Sequence, residues 1–246
     1  MAGPELSIII PTFNERENIG TCLRALNHQT TLRVNYEIIV VDGGSNDGTR
    51  ELAKNYGADR IIIQKGEGVA GAKNDAAAIA KGKIVATMDA DVIAPKTWVA
   101  TILERFRDRR VIGLAGVSHS IERDSMSRVS LDLLAVWARV CAFAGRPLLS
   151  GQGSAISLDV FRRIGGYKPE FSMIHDVEIG MRAREYGKIV FDKNWVVYTS
   201  ARRIQKIGIR KYYSLMGKAV LSFLLKRKVP GAKYTREDYT RTQNDK

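Results

Sequence analysis

The alternation of short apolar runs with helix-like segments is the feature that most constrains the fold of this chain. Up to about residue 90, four apolar runs are separated by segments with helix signals. These signals are Asn14 as a cap before two glutamates, Asp47 ahead of Thr49, and Gly57 and Gly82 as stops. Such alternation is typical of βα units, so we predict four parallel strands with crossover helices. The predicted strands are Leu6 to Ile10, Glu37 to Val41, Arg60 to Ile63 and Lys83 to Met88.

The second half of the chain has a less regular pattern. The predicted elements are a helix at Lys96 to Arg107, a strand near Val111 to Val117, a helix near Leu131 to Phe143, a turn at Ser150 to Gly153, a helix at Leu158 to Ile164, a helix from His175 or Asp176 to Gly187, and a strand at Trp195 to Thr199. We therefore expect one α/β domain with a mixed, mainly parallel sheet. Sheets of this kind bind ligands beyond the C-terminal ends of their strands.

Composition excludes several classes of protein. At 246 residues, with 45% apolar and 26% charged residues, the chain is long enough for a sizeable core and is neither disordered nor fibrous. Its N-terminus has no basic region ahead of a long apolar stretch, and no run of about 18 apolar residues occurs, so we predict neither a signal peptide nor a spanning helix. Cys22 and Cys141 lack metal-ligand spacing. These features predict a cytoplasmic protein.

Polar residues follow three of the predicted strands at the point where each strand ends. The first strand ends in Pro11-Thr12-Phe13-Asn14-Glu15, the second reaches Asp42, and the fourth ends in Asp89-Ala90-Asp91. Because residues i and i+2 of an extended backbone point the same way, Asp89 and Asp91 can face one bound object. Two nearby carboxylates repel each other unless a cation separates them. The pattern therefore predicts Mg²⁺ or Mn²⁺, shared with substrate phosphates.

A glycine-rich motif indicates a different cofactor. Gly66-Glu67-Gly68-Val69-Ala70-Gly71 matches GxGxxG, follows the third predicted strand and opens a predicted helix at Ala72, and Asp89 lies about 20 residues further on. On spacing alone this is the fingerprint of an NAD-dependent oxidoreductase. Against that interpretation, the loop follows the third strand rather than the first, polar residues 73–75 come next, and Asp91 is left without a role.

Three motifs in order resemble one known family. They are LSIIIPTFNERENIGTCLRAL, then VVDGGSNDGT, then AGAKNDAAAIAKGKIVATMDADV, and together they resemble the nucleotide-binding half of family 2 glycosyltransferases of GT-A fold. The later SGQGSAISLDVFRRIGGY and HDVEIGMRAREYG look like the acceptor-side half of that family. The resemblance runs from about Leu6 to Arg203. It implies a GT-A domain over residues 1–203, with a nucleotide-binding half at 1–92 and an acceptor-binding half at 93–203.

The resemblance also implies roles for individual residues. A UDP- or GDP-linked sugar donor, a divalent metal and inversion at the anomeric carbon are expected. Asp91 would hold the metal, and Lys73 would stand near the ribose or diphosphate. The glycine-rich loop would simply precede the helix that carries Lys73. The residues expected to contact the nucleoside are Pro11, Thr12, Glu15, Asp42 and Asp89.

On the acceptor side, the resemblance implies a base at a helix start. The family has a Glu-Asp pair there, and the matching residues in this chain are His175 and Asp176, with Asp176 the candidate base and Glu178 the fallback. A carboxylate at that position favours a hydroxyl acceptor, either a carbohydrate or a lipid-linked acceptor. A polyprenyl phosphate acceptor is already ionised and needs no base. Gly151, in the glycine-rich turn, belongs to the predicted acceptor side. Arg202 and Arg203 resemble basic residues that some family members place against the donor diphosphate.

The C-terminal fifth of the chain carries most of the formal net charge of +13. Between Asp192 and Glu237 there is no acidic residue. An apolar stripe at helical spacing from Tyr212 to Leu224 predicts a basic amphipathic helical extension at 204–229, followed by a mobile polar tail at 230–246. Such a helix can lie on an anionic membrane surface, pack on its own domain, or pair with a twin in a homodimer. No nucleic-acid reading motif accompanies the charge, so we expect no nucleic-acid partner.

Overall fold

The structure is a computed structural model that describes residues 3–122, 124–143, 149, 152–171 and 174–226, with the side chains of residues 203, 216 and 219–226 left out. Its strands are β1 (Leu6–Thr12), β2 (Tyr36–Asp42), β3 (Arg60–Ile63), β4 (Ile84–Thr87), β5 (Val92–Ile93), β6 (Val111–Ser120), β7 (Ser154–Ser157) and β8 (Lys188–Thr199). Its helices are α1 (Arg16–Asn27), α2 (Thr49–Asn55), α3 (Gly68–Ile79), α4 (Trp98–Arg105), α5 (Ser125–Phe143), α6 (Leu158–Arg163), α7 (His175–Ala183), α8 (Arg202–Ile207) and α9 (Ile209–Lys226).

The described strands form one eight-stranded sheet in the order β3-β2-β1-β4-β7-β6-β8-β5. Strands β3, β2, β1 and β4 are mutually parallel, and this confirms the prediction for the first half of the chain. Strand β7 runs antiparallel between β4 and β6, and β5 runs antiparallel to β8 at the edge. The sheet is therefore mixed and mainly parallel, and six of its described strands place their C-terminal ends on one rim.

Apolar residues cover both faces of the sheet. Helices α1, α2 and α4 pack on one face, where the rings of Trp98 and Trp195 stack with centroids 5.2 Å apart. Helices α3, α6 and α7 pack on the other face. The strand residues between them are nearly continuous hydrophobic runs, as buried parallel strands require. This three-layer core fixes the rim where the polar strand ends meet.

Several predicted boundaries were wrong. Helix α3 begins at Gly68, four residues before Ala72, because Gly66 and Gly71 lack side chains and their backbones approach so closely that a Cβ on Gly71 would meet the Gly66 carbonyl carbon at 2.3 Å. Helix α5 begins at Ser125, since Asp124 accepts a hydrogen bond from the Ser127 amide and caps its first turn.

The C-terminal extension is two helices instead of one. Gly208, in the left-handed conformation at φ +85°, ends α8 and separates it from α9. The predicted boundary at residue 203 falls inside α8. Tyr212, the first residue of the predicted apolar stripe, is buried with Leu131 of α5, Ala201 and Ile204. The start of α9 therefore packs on its own domain. The predicted tail at 230–246 lies outside the described residues. Among the described helices, none has both the length and the apolar character needed to cross a membrane.

Candidate active site

Asp42 ends β2 and is fully buried at the rim. Its Oδ2 accepts hydrogen bonds from the amides of Gly44 and Ser45 at 3.0 and 2.9 Å, and its Oδ1 accepts from the hydroxyls of Ser45 and Thr12 at 2.5 and 3.3 Å. A buried carboxylate is stable only when such donors replace water. Asp42 thus holds a tight turn after β2, directly beside Thr12 at the end of β1. Pro11 precedes Thr12 and pairs with Val41 in the register of these strands.

The loop after β1 is tied to the loop after β2. Asn14 was predicted to cap α1, and this was wrong, because Glu15 occupies the N-cap position and Asn14 takes the left-handed conformation at φ +55°. The Asn14 side chain instead accepts from the amide of Asn46 at 3.1 Å, while its own amide donates to Ser45 Oγ at 2.8 Å. The prediction that Asp47 precedes the start of a helix is confirmed, since its carboxylate accepts a hydrogen bond from the first amide of α2 at 3.0 Å. These bonds make the two loops one unit.

Three carboxylates lie close together beyond β1 and β4. Glu15 and Asp91 both form ion pairs with Arg202, and the Arg202 Nε lies 2.9 Å from Asp91 Oδ2. The thiol of Cys22 lies beneath them, 3.9 Å from the Asp89 carbonyl oxygen. Burial, and then the negative charges of Asp91, Asp89 and Glu15, raise the pKa of Cys22 well above its ordinary value. Three carboxylates and one guanidinium thus leave an excess of negative charge at this part of the rim.

A divalent cation fits this group of carboxylates. Within the described residues, no three His, Cys, Asp or Glu side chains are placed to hold a metal on their own. Mg²⁺ and Mn²⁺ are often held by one or two carboxylates, with substrate phosphates and water supplying the remaining oxygens. Asp91 offers such a carboxylate, and the excess negative charge that Asp89 and Glu15 add favours a cation there.

A second charged cluster joins the two halves of the chain. Lys73 projects from α3 and is buried, and its Nζ lies 3.1 Å from Asp176 Oδ1 and 3.0 Å from His175 Nε2, both at the start of α7. Burial alone would lower the pKa of Lys73, but the negative charges of Asp176 and Asp89 raise it above its ordinary value. Burial alone would raise the pKa of Asp176, yet the charges of His175 and Lys73 keep it below its ordinary value. The pair is therefore fully ionised near neutral pH.

Tyr167 completes this cluster and was missed in the sequence. Its hydroxyl forms side-chain hydrogen bonds with Asp176 and Thr87, and its ring lies under the Lys73 ammonium with Nζ 5.0 Å from the centroid. The ring also packs edge-on against His175. Burial raises the pKa of Tyr167 to about 12, so its hydroxyl stays protonated and can donate to Asp176. The signal that could have found it is the sequence Gly165-Gly166-Tyr167, which lies within the quoted family motif.

His175 can satisfy only one of its two close partners at a time. Its Nε2 lies near Lys73 Nζ and also 3.1 Å from Asp176 Oδ2. The Lys73 ammonium can only donate, so a bond from it needs an unprotonated Nε2, whereas a bond to Asp176 needs a protonated one. Which of the two bonds forms therefore depends on whether Nε2 of His175 carries a hydrogen.

Other predicted residues have different surroundings. Glu178, the fallback base, is buried and bound by the guanidinium of Arg182, with Nε and Nη2 each 2.6 Å from a carboxylate oxygen. This geometry indicates a structural ion pair within α7 rather than a free base. Gly151 and the side chain of Arg203 lie outside the described residues.

The glycine-rich loop from Gly66 to Gly71 is badly placed for a dinucleotide. It follows β3, at the edge of the sheet, whereas the order of the sheet reverses between β1 and β4. In open α/β sheets the ligand lies at that reversal, and the fingerprint loop follows the first strand. The glycines instead allow the loop to contact its own helix. The NAD-dependent alternative is therefore not favoured.

The described α/β domain, with its mixed and mainly parallel sheet, has the GT-A fold. The sequence profile described as Glycosyl transferase family 2 matches residues 7–164, which is more than half of the chain. The chain therefore belongs to glycosyl transferase family 2, as the sequence motifs predicted.

Curated relatives match part of the chain. Glycosyltransferase AglE of Haloferax volcanii is 37% identical over 101 residues, which are 39% of this chain and 33% of the relative. Validoxylamine A glucosyltransferase of Streptomyces hygroscopicus is 35% identical over 106 residues, which are 41% of this chain and 25% of the relative. The matched segments thus span a third or less of these relatives' length.

Solved structures share the fold. Mannosyltransferase PcManGT from Pyrobaculum calidifontis, in complex with GDP-Man and Mn²⁺, superposes with a TM-score of 0.66 at 22% identity and covers 86% of this chain and 64% of its own. Glucosyl-3-phosphoglycerate synthase from Mycobacterium tuberculosis, in complex with Mn²⁺, UDP and glucosyl-3-phosphoglycerate, gives a TM-score of 0.63 at 20% identity, with 94% and 82% covered. At this identity the likeness shows the fold alone.

Proposed function

We propose that the protein is an inverting glycosyltransferase that moves a sugar from a UDP- or GDP-linked donor to a hydroxyl acceptor. The observation that carries this proposal is the position of Lys73. Its ammonium is paired with Asp176 from the acceptor half and also experiences the negative charge of Asp89 at the end of the donor half. One buried cation is therefore influenced by both the candidate base and a candidate donor-site carboxylate.

In this proposal the donor lies along the rim. Thr12, Glu15, Asp42 and Asp89, together with Pro11, surround the nucleoside, while Arg202 and Arg203 lie against the diphosphate. Two solved structures of similar fold, named above, hold GDP-Man or UDP together with Mn²⁺. Asp91 would hold Mg²⁺ or Mn²⁺ in this chain. When bound, that metal would supply positive charge that stabilises the departing diphosphate.

Asp176 is the proposed base. As the acceptor oxygen attacks the anomeric carbon, its proton passes to the Asp176 carboxylate, and the bond from that carbon to the diphosphate oxygen breaks on the opposite face. The nucleoside diphosphate leaves with the electron pair, which inverts the configuration. Lys73 keeps Asp176 ionised before the reaction. A diphosphate near Asp89 would compete for the Lys73 charge and so strengthen the base as the donor binds.

The experiment that tests this proposal is a panel of UDP- and GDP-linked sugars with Mn²⁺ or Mg²⁺, measured by thermal shift and by slow donor hydrolysis. We expect one nucleotide to stabilise the protein only when metal is present, and Asp91→Asn to abolish that effect. Equal stabilisation in EDTA would contradict the role of the metal. Stabilisation by NAD(H) alone would favour the oxidoreductase instead.

The acceptor class has its own test. A polyprenyl phosphate acceptor would need no base, so Asp176→Asn would leave its transfer rate unchanged. Loss of transfer with retained nucleotide binding would support a hydroxyl acceptor. Attachment to the cytoplasmic face of a membrane through residues 204–229, and a homodimer, remain predictions of the same proposal.

A further inference from the structure

Helix α5 exposes an apolar face that the rest of the described protein leaves uncovered. The apolar side chains of this face recur three or four residues apart along the helix, and each of them is more than half exposed. Phe143, at the end of the helix, is 97% exposed. Soluble proteins rarely expose a contiguous apolar patch of this length without a binding role. The stripe includes Met126, Val129, Leu133, Trp137, Val140 and Phe143.

The opposite face of α5 already has its partners. Leu131 and Ala135 are buried, and Leu131 packs with Ala201, Ile204 and Tyr212 from the segment around α8 and α9. The Tyr213 hydroxyl donates to the Ser130 carbonyl and fixes α9 on that side. The exposed stripe is therefore not the face by which α5 joins its own domain.

A cationic pocket lies at the C-terminal end of the stripe. Its volume is about 880 Å³, and it lies between the last turn of α5 and the start of β8. Arg139, Arg184, Lys188 and Lys193 line it, with Glu185 as an acidic neighbour. Apolar side chains, Phe143, Ile189 and Phe191 among them, supply the rest of the lining. Cations beside apolar surface complement a phosphate group that is joined to a hydrocarbon chain.

We propose that α5 and this pocket form a docking surface for a bilayer that contains anionic phospholipid. The stripe would lie in the boundary between headgroups and acyl chains, with Trp137 and Phe143 in the apolar layer. A headgroup phosphate would occupy the pocket among Arg139, Arg184, Lys188 and Lys193. This surface is distinct from the predicted extension at 204–229, and its assignment does not depend on the proposed transferase reaction.

Charge favours a bilayer over a second copy of this chain. The chain has a formal net charge of +13, so two copies of it repel each other as they approach. Like charges at an interface oppose association, whereas the same charges attract an anionic headgroup layer.

Docking would also orient the candidate active site. Helix α5 follows β6, which runs in the same direction as β8 and as the donor-half strands. The stripe therefore begins at the rim of the sheet where Asp89 and Asp91 lie, and ends at the pocket on the opposite edge. A bilayer along the stripe would lie beside the rim.

The test is flotation of the full chain with vesicles of phosphatidylcholine alone or mixed with phosphatidylglycerol. We expect binding to the anionic vesicles, weakened by added salt. Leu133→Asp/Val140→Asp should reduce the bound fraction by about tenfold or more, because it places charge in the apolar layer. Lys188→Glu/Lys193→Glu should reduce it on the order of tenfold.

Matched controls on other surfaces keep the result specific. Leu32→Asp/Val34→Asp changes an exposed Leu and an exposed Val away from α5, and Lys54→Glu/Lys96→Glu reverses two exposed charges elsewhere. Both should bind vesicles as the parent does, and circular dichroism should show that all variants remain folded.

Three results would overturn the proposal. The first is equal binding to neutral and anionic vesicles, or none to either. The second is unchanged binding by the α5 variant while Arg210→Glu/Lys211→Glu abolishes it, since this would assign the surface to α9. The third is a dimer in sedimentation velocity that the α5 variant loses, without vesicle binding by the parent.

Discussion

Two of the ion pairs that cross between the predicted donor half and the predicted acceptor half of this protein differ in burial. Lys73 of the donor half is 1% exposed and pairs with Asp176 of the acceptor half, which is 13% exposed. Arg202 of the acceptor half is 36% exposed and pairs with Asp91 of the donor half, which is 11% exposed. Each half thus supplies the cation for the candidate functional carboxylate of the other, but only one of the two cations is shielded from water.

The difference in burial implies different roles. A charge that is buried and paired is held in one geometry, because moving it would leave its partner uncompensated in a low-dielectric interior. A half-exposed guanidinium exchanges partners with water at little free-energy cost. We therefore expect the Lys73–Asp176 pair to fix the position of the base, and Arg202 to leave Asp91 when donor and metal bind.

The largest effect is expected from Asp176→Asn. Removal of a general base lowers the rate by about 10² to 10⁴-fold, while nucleotide binding on the donor side should persist. The measurement is kcat for sugar transfer together with a thermal shift by UDP or GDP. Glu178→Gln is the matched control, because Glu178 lies in the same helix and is bound to Arg182. It should lower stability with far less effect on kcat, and the opposite ranking would make Glu178 the base.

Lys73→Met is expected to have the largest effect on stability. It leaves the Asp176 carboxylate buried without its cation, which costs about 3–5 kcal/mol of the free energy of unfolding. Urea denaturation at neutral pH measures this loss. The double variant Lys73→Met/Asp176→Asn should cost less than the sum of the single variants, since it removes both charges. Additive losses would show that the two residues do not interact.

Lys73→Met should also shift the pH dependence of stability and of kcat/KM. The folded pKa of Asp176 lies below its ordinary value, so the pair contributes stability above the ordinary aspartate pKa of about 3.9, and this contribution is lost as the pH falls through the lower folded pKa. Without Lys73 the pKa of Asp176 rises, because one of the positive charges that oppose the effect of burial is lost. The acid limb of kcat/KM should therefore move to higher pH in Lys73→Met.

Sequence reasoning predicted the donor half better than the acceptor half for a physical reason. Asp42 is held by Gly44 and Ser45, two and three residues away, so a short motif contains its environment. Asp176 is held by Lys73, 103 residues away, and no local pattern indicates that contact. The same limit explains the missed strands, since β7 and β5 have only four and two residues, and pairing with β4, β6 and β8 makes them strands.

Tyr167→Phe should have an intermediate effect. It removes a hydrogen bond to the charged Asp176 and should cost about 1–3 kcal/mol of stability. Its acid limb in kcat/KM should also move to higher pH, by less than in Lys73→Met. The matched control is Tyr36→Phe, which removes a buried hydroxyl bond to the Leu26 carbonyl oxygen. Tyr36→Phe should lose comparable stability without moving the acid limb of the kcat/KM profile. An equal shift of that limb in both variants would exclude Tyr167 as a positioning residue.

The smallest stability effect is expected from Arg202→Gln. Since the side chain is more than a third exposed, losing its ion pairs should cost no more than about 1 kcal/mol in urea denaturation. The variant should change the affinity for Mn²⁺ and the affinity for nucleotide in opposite directions. Without nucleotide, Mn²⁺ should bind more tightly, because Arg202 no longer competes for Asp91, whereas UDP or GDP should bind more weakly, because a diphosphate contact is lost. Calorimetric titration of each ligand separates the two. If both bind more weakly, Arg202 supports the carboxylates rather than blocking them, and the two ion pairs would then be equally fixed.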